Sequence, residues 1–235
     1  MIIAGLQKTS LVDYPGKICS TIFLAGCNLR CGFCHNPELV IPELVQEHTV
    51  PMNPDELVRQ IKERQKYIDG VCITGGEPLL NKDIFKLCDE LKRLGLLVKV
   101  DTNGCHPFAL RQLIEFKMVD YVAMDIKGPK EKYREIVEKD INMDRIEESI
   151  ELLKKGKVEY EFRTTVVKGV HLFADIVKIG EWLKGARQYY LQQFNVKAKY
   201  IDPKFEKNIP YTPAELREMQ TALKGCFEKV GVRGI

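Results

Sequence analysis

Residues 71–100, VCITGGEPLLNKDIFKLCDELKRLGLLVKV, decide the fold. Val71 to Thr74 is a short, mostly β-branched apolar run, which reads as a buried strand. Gly75-Gly76-Glu77-Pro78 interrupts it. Ile84, Leu87, Cys88, Leu91 and Leu94 then recur at intervals of three and four, the pattern of an amphipathic helix that Gly95 ends. Leu96 to Val100 is a second apolar strand. Strand, helix and strand in this order make a βαβ unit, and such units build parallel sheets covered by helices.

The same alternation extends in both directions. Ile18 to Leu24 reads as a strand, and Asn53-Pro54-Asp55-Glu56 opens a helix with an Asn cap and Pro at the first helical position. Residues 107–117 read as a helix and Asp120 to Asp125 as a strand. Two charged helical stretches follow, about 130–139 and 142–155, then a strand from Val158 to Val167, a helix over 172–184 and a strand from Tyr189 to Asn195. Thr212-Pro213-Ala214-Glu215 is a capping box, and Leu216, Met219, Leu223, Phe227 and Val230 line the apolar face of a last helix. About six βα units in 235 residues predict an α/β fold, a partial (β/α)6 TIM-like barrel with parallel strands in a single domain. Within residues 1–235, 1–17 form an N-terminal extension, 18–200 the barrel core, and 201–235 a C-terminal segment with the final helix.

Composition narrows the class. The chain has 36 basic and 33 acidic residues, a formal charge of +3, too small to argue for nucleic acid or an anionic membrane. No apolar run approaches the ~20 residues that span a bilayer. Met1 to Ser10 lacks the basic and apolar regions of a signal peptide, so a cytoplasmic location is expected. A chain this long buries enough core to fold without disulfides, so the 8 cysteines call for another explanation.

Almost every unusual local sequence follows a predicted strand: Cys27–Asn36, Gly75–Pro78, Asp101–Gly104, Met124–Gly128, Arg163–Thr165 and Gln192–Asn195. Parallel α/β sheets form their sites at the carboxyl ends of the strands, so these segments are expected to line one cavity. Cys27, Cys31 and Cys34 form C-x3-C-x2-C on a loop with Gly26 and Gly32. Thiolates select zinc or iron–sulfur. Zinc would need His35 or His48 as a fourth ligand, and neither has the usual knuckle spacing. A [4Fe–4S] cluster normally takes four cysteines, so three leave one iron open to a ligand. Cys19, Cys72, Cys88 and Cys226 read as buried apolar residues, with Cys226 in the last helix. Cys105 stands nearer the expected site, and the cysteine spacing predicts no second cluster.

C-x3-C-x2-C with Phe33 before its last cysteine, followed by Gly75-Gly76-Glu77-Pro78 after a strand, resembles the radical S-adenosylmethionine superfamily. Residues 5–17 (GLQKTSLVDYPGK), 23–31 (FLAGCNLRC) and 34–37 (CHNP) look like the glycyl-radical-enzyme activases, most of all those of anaerobic ribonucleoside-triphosphate reductase. The resemblance implies one [4Fe–4S] cluster on Cys27, Cys31 and Cys34, with S-adenosylmethionine on the open iron. It implies reductive cleavage of S-adenosylmethionine and removal of a Cα hydrogen from a glycine of a partner enzyme. A flavodoxin or ferredoxin would supply the electron. Gly75, Gly76 and the Glu77 carboxylate are expected to meet the methionine ammonium. Asp101, Thr102, Met124 (through its carbonyl) and Asp125 are expected to hold a monovalent cation, and Lys127 the cofactor carboxylate. Phe33 and Arg163 are further candidate cofactor contacts. Gln192, Gln193 and Asn195 stand where the related pyruvate formate-lyase activase has a ribose-binding histidine. Activation of pyruvate formate-lyase or another glycyl radical enzyme, a small-molecule substrate, or a zinc-stabilised interaction module are the alternatives.

Overall fold

A computed structural model describes residues 1–196 and 199–235; Lys197 and Ala198, inside the expected 18–200 core, lie outside the described residues. Eight strands form one sheet in sequence order: β1 (Ile3–Ser10), β2 (Cys19–Leu24), β3 (Gly70–Gly75), β4 (Leu97–Thr102), β5 (Tyr121–Asp125), β6 (Glu159–Val166), β7 (Gln188–Gln193) and β8 (Lys229–Arg233). From β2 to β8 every neighbouring pair is parallel, and β1 runs antiparallel to β2. The helices are α1 (Pro37–Val40), α2 (Pro42–His48), α3 (Pro54–Arg64), α4 (Ile84–Arg93), α5 (Pro107–Glu115), α6 (Tyr133–Val137), α7 (Met143–Lys154), α8 (Phe173–Trp182) and α9 (Pro213–Ala222). The six strands β2 to β7, each followed by helix, make the expected α/β partial barrel.

Local chemistry explains the boundaries. The Asn53 side chain accepts from the Asp55 N–H at 2.8 Å and starts α3. Thr212 and Glu215 close a reciprocal capping box on α9, and Gly95 ends α4 at φ +75°.

Two strands were not expected. β1 lies in the segment read as an extension, where the solvent-facing Gln7, Lys8 and Thr9 dilute the apolar signal of an edge strand. β8 overturns the long reading of the last helix. Its helical spacing continues through Phe227 and Val230, but α9 stops at Ala222 and Gly225 turns the chain at φ +87°. Val230 therefore sits in a strand beside Tyr189, and Cys226 lies beyond the helix.

Strand alternation divides the sheet into two faces. Ile22, Ile73, Val98, Val100, Val122 and Phe162 are fully buried in the main core with the helices. Register places Cys72 beside Lys99, Lys99 beside Tyr121, and Asp125 beside Arg163 on the other, lumen face. A small separate cluster of Tyr14, Cys19, Cys72 and Tyr121 fills part of that lumen. Among the described residues no helix is long and apolar enough to cross a membrane.

Candidate active site

The cysteine loop leaves β2 and is held from several directions. Arg30 donates from Nη1 to the carbonyls of Cys27 (2.8 Å) and Leu29 (2.7 Å). The Cys34 N–H bonds the Cys31 carbonyl at 2.9 Å. The backbone N–H groups of Ile201 and Asp202 reach the carbonyls of Cys34 (3.2 Å) and Gly32 (2.9 Å). All eight cysteines are free, and Cys27, Cys31 and Cys34 line one cavity of about 350 Å3. Burial raises the Cys27 thiol to about 11, Cys31 to about 12, and Cys34 above its ordinary value. The Lys127 ammonium pulls all three the other way.

Gly75 at the end of β3 and Gly76 after it are required by backbone packing. A Cβ on Gly76 would stand 2.1 Å from the Gly26 carbonyl oxygen, and one on Gly75 2.2 Å from that of Leu24. The Gly76 N–H bonds the Leu24 carbonyl at 2.8 Å, and the Glu77 N–H bonds the Gly26 carbonyl at 2.7 Å. Gly75 and Gly76 thus fasten their loop to the cysteine loop while both line the cavity.

Glu77 joins two neighbouring segments of the site. Its carboxylate is fully buried and is not part of the cavity wall. It accepts from the Leu79 N–H (3.1 Å), the Thr102 hydroxyl (2.8 Å) and the Asn103 N–H (2.7 Å), clamping the β3 loop to the β4 loop. Burial pushes its carboxyl up to about 7, against those three hydrogen bonds.

Asp101, Asp125, Lys127 and Arg163 do come together. Arg163 bridges the two carboxylates, with Nη2 3.0 Å from Asp101 Oδ2 and Nε 2.5 Å from Asp125 Oδ1. Lys127 Nζ lies 2.8 Å from Asp125 Oδ2, and Lys99 Nζ bonds Asp101 Oδ1. Ala123, register partner of both Asp101 and Glu161, is small enough to let side chains of β4 and β6 meet across β5. Burial opposes ionisation of both acids. Arg163 and Lys127 nevertheless hold Asp125 far below the usual carboxylate range, and Arg163 and Lys99 lower Asp101. The carboxylates keep Lys127 and Arg163 charged despite their burial.

Asp101, Thr102 and Asp125, three of the donors expected for a monovalent cation, line the cavity together, and each already has a partner. The Thr102 hydroxyl is engaged by Glu77 and by the Gly104 N–H (3.1 Å). The Met124 side chain packs against Gly104, while the donor expected from Met124 is its backbone carbonyl.

Phe33 lines the cavity and packs edge-on to His171 (5.9 Å) and Phe205 (6.1 Å). Gln192, Gln193 and Asn195 line it too. Sequence reasoning missed three participants. Asn103 donates to Asn28 Oδ1 at 2.9 Å and approaches Cys27 Sγ at 3.9 Å. His171 accepts the Val167 N–H on Nδ1 (3.1 Å), so Nε2–H donates to the Lys127 carbonyl (2.7 Å) and fixes the strand end that carries Lys127. The third is Lys99. Asn103 stands in a motif already singled out; a lone histidine in a loop and a lysine inside VKV give no comparable signal.

The donor set fits an iron–sulfur cluster: three free sulfurs line the same cavity as the Gly75–Gly76 segment and Lys127. Among the described residues no three His, Cys, Asp or Glu side chains converge as ligands of one metal ion do. A four-iron cluster is larger than an ion and takes more widely separated thiolates. His48 stands exposed beside Glu47, 3.8 Å away, and adds no fourth zinc ligand here.

Comparison with known proteins agrees. The profile of the Radical SAM superfamily matches residues 21–183. The chain is 36% identical over 239 residues to "Putative glycyl-radical enzyme activating enzyme MJ1227" of Methanocaldococcus jannaschii, covering 100% of this chain and 96% of that protein. It is 35% identical over 133 residues to the pyruvate formate-lyase-activating enzyme of Clostridium pasteurianum (53% of this chain, 52% of that one). It is 41% identical over 133 residues to the 7-carboxy-7-deazaguanine synthase of Methanospirillum hungatei (54% and 49%). In fold it is similar to Streptococcus suis SuiB bound to S-adenosylmethionine, with TM-score 0.68, 15% identity, and 91% of this chain and 52% of that one covered.

Proposed function

The chain belongs to the radical S-adenosylmethionine superfamily and to its glycyl-radical-enzyme activating enzymes, and from that membership we propose that its partner is an anaerobic ribonucleoside-triphosphate reductase. Enzymes of this superfamily use a [4Fe–4S] cluster and S-adenosylmethionine. When bound and reduced, the cluster supplies the one electron that splits S-adenosylmethionine into methionine and a 5′-deoxyadenosyl radical. The cofactor, once bound, would supply the radical chemistry that removes the Cα hydrogen of the target glycine, with 5′-deoxyadenosine as the other product. The protein's part is to hold, orient and shield.

In this reading Cys27, Cys31 and Cys34 hold the cluster. The Gly75–Gly76 backbone faces the methionine ammonium. Lys127, kept charged by Asp125, meets the methionine carboxylate. Asp101, Thr102 and Arg163 fix those groups in place, and Phe33 seals the cavity beside the cluster. The supporting observation is that three free thiols, the Gly75–Gly76 backbone and Lys127 line one cavity at the carboxyl ends of the strands. The reductase as partner rests on the resemblance through residues 5–37. A flavodoxin or ferredoxin is the proposed electron donor, and the cytoplasm the proposed location.

The half-length match to the deazaguanine synthase favours a second reading, a small-molecule substrate. One experiment separates them. The anaerobically reconstituted protein is mixed with S-adenosylmethionine, reductant, and in turn the reductase, pyruvate formate-lyase, or no partner. A glycyl doublet in the electron paramagnetic resonance of the reductase alone is expected. A doublet only on pyruvate formate-lyase reassigns the partner. No S-adenosylmethionine cleavage by iron- and sulfide-replete, reduced protein overturns both readings.

A further inference from the structure

Five charged side chains form an unbroken ladder across the lumen: Lys99, Asp101, Arg163, Asp125 and Lys127. Each of the four carboxylate oxygens already faces a cationic nitrogen. Lys99 takes Asp101 Oδ1, Arg163 takes Asp101 Oδ2 and Asp125 Oδ1, and Lys127 takes Asp125 Oδ2. Three positive groups stand against two negative ones, so the two carboxylates are neutralised without an added ion. The neighbouring Glu161 is matched separately, by Arg233 (2.6 and 2.7 Å) and the Tyr121 hydroxyl (2.8 Å). Asp13, another acid lining the cavity, accepts the Thr21 hydroxyl at 2.6 Å. A metal cation would have to displace an ammonium or guanidinium from a buried carboxylate, and the displaced group would be left unpaired.

Lys99 differs from the other two cations of the ladder. Lys127 and Arg163 line the cavity, whereas Lys99 is 2% exposed, is not part of its wall, and lies beside Cys72 Sγ at 3.5 Å. It is two residues from Asp101 on the same face of β4, so its ammonium reaches that carboxylate from the interior. We propose that Lys99 serves as a resident substitute for an alkali cation. It is a positioning residue that neutralises Asp101 from the interior and leaves Arg163 and Lys127 to face the cavity. Cofactor binding is then independent of alkali ions. This last step rests on the functional reading above, while the claim that no alkali ion binds between the carboxylates does not.

The full-length protein tests both. Melting of the protein without cluster, and S-adenosylmethionine affinity of the reconstituted protein, are measured in KCl, NaCl and N-methylglucamine chloride at equal ionic strength. The expected result is the same melting temperature in all three salts and affinities within about twofold. Affinity about tenfold tighter in KCl or NaCl overturns the proposal, as does a thallium ion found between Asp101 and Asp125. Lys99→Met is expected to bind S-adenosylmethionine about tenfold more weakly in N-methylglucamine and to recover in KCl or NaCl, whereas Lys99→Arg stays indifferent to the salt. A Lys99→Met protein no more responsive to alkali ions than the wild type overturns the proposal. If that variant does not fold, the wild-type salt comparison still decides. If the wild type binds no S-adenosylmethionine in any salt, the functional reading falls, and the melting and thallium measurements still judge the ion.

Discussion

The two faces of the sheet are built from the same strands and answer to different physics. On the helix side, Ile22, Ile73, Val98, Val100 and Phe162 are fully buried among apolar neighbours, and burial of apolar area holds them there. On the lumen side, Lys99, Asp101, Glu161 and Arg163 are buried or nearly so, and each is charged and paired. Side chains alternate along a strand, so one residue of register separates a stabilising position from a chemical one. The lumen face trades hydrophobic stability for a fixed pattern of charge around a cavity, which is what orienting a charged cofactor requires.

Four substitutions break or sharpen this contrast. Cys34→Ala, at the mouth of the lumen, should lower S-adenosylmethionine cleavage by more than ~10^3-fold, since no other ligand replaces the thiolate, while the melting transition moves little. A variant that kept its activity but lost its stability would reverse the assignment of the two faces. Arg163→Met leaves Asp101 and Asp125 without their bridge. It should destabilise the fold by about 3–5 kcal/mol in urea titration and also weaken cofactor binding, marking the ladder as both structural and functional. Ile73→Ala, one residue beyond Cys72 on the opposite face, should destabilise by about 2–5 kcal/mol while folded molecules keep the wild-type affinity for S-adenosylmethionine. Loss of affinity in that variant would show the faces to be coupled.

The smallest effect concerns pH. Glu77 has a folded pKa of about 7, above its ordinary value, so the folded state prefers its protonated form. Its contribution is fullest below the unfolded carboxylate pKa of roughly 4.3 and is lost as pH rises through about 7. Unfolding titrations from pH 5 to 8 should therefore show the advantage of wild type over Glu77→Gln shrinking as pH rises. A constant difference would place the carboxylate in a more solvated setting.

How much the sequence revealed follows the same division. The helix-facing residues carry the periodicity from which the six βα units were read, so the barrel was legible. The cysteine loop was legible because its spacing has few competing explanations. β1 was lost because an edge strand with solvated polar residues has little alternation, and β8 because a helical spacing happened to run on past Gly225. The role of Glu77 depended on contacts to Leu79, Thr102 and Asn103, two of them at the carboxyl end of β4. Lys99 was hidden because a lysine between two valines reads as a solvated position, and only the closing of the lumen shows where it goes.

The cysteine loop is also tied by two backbone hydrogen bonds to Ile201 and Asp202, which lie far along the chain. During synthesis the cysteines leave the ribosome long before those partners exist, and contacts this distant in sequence form late in folding. The loop therefore reaches its final shape only once nearly the whole chain is made. Cluster insertion becomes a closing step of maturation, and a polypeptide truncated before residue 201 should accept iron and sulfide poorly even though it holds every cysteine of the motif.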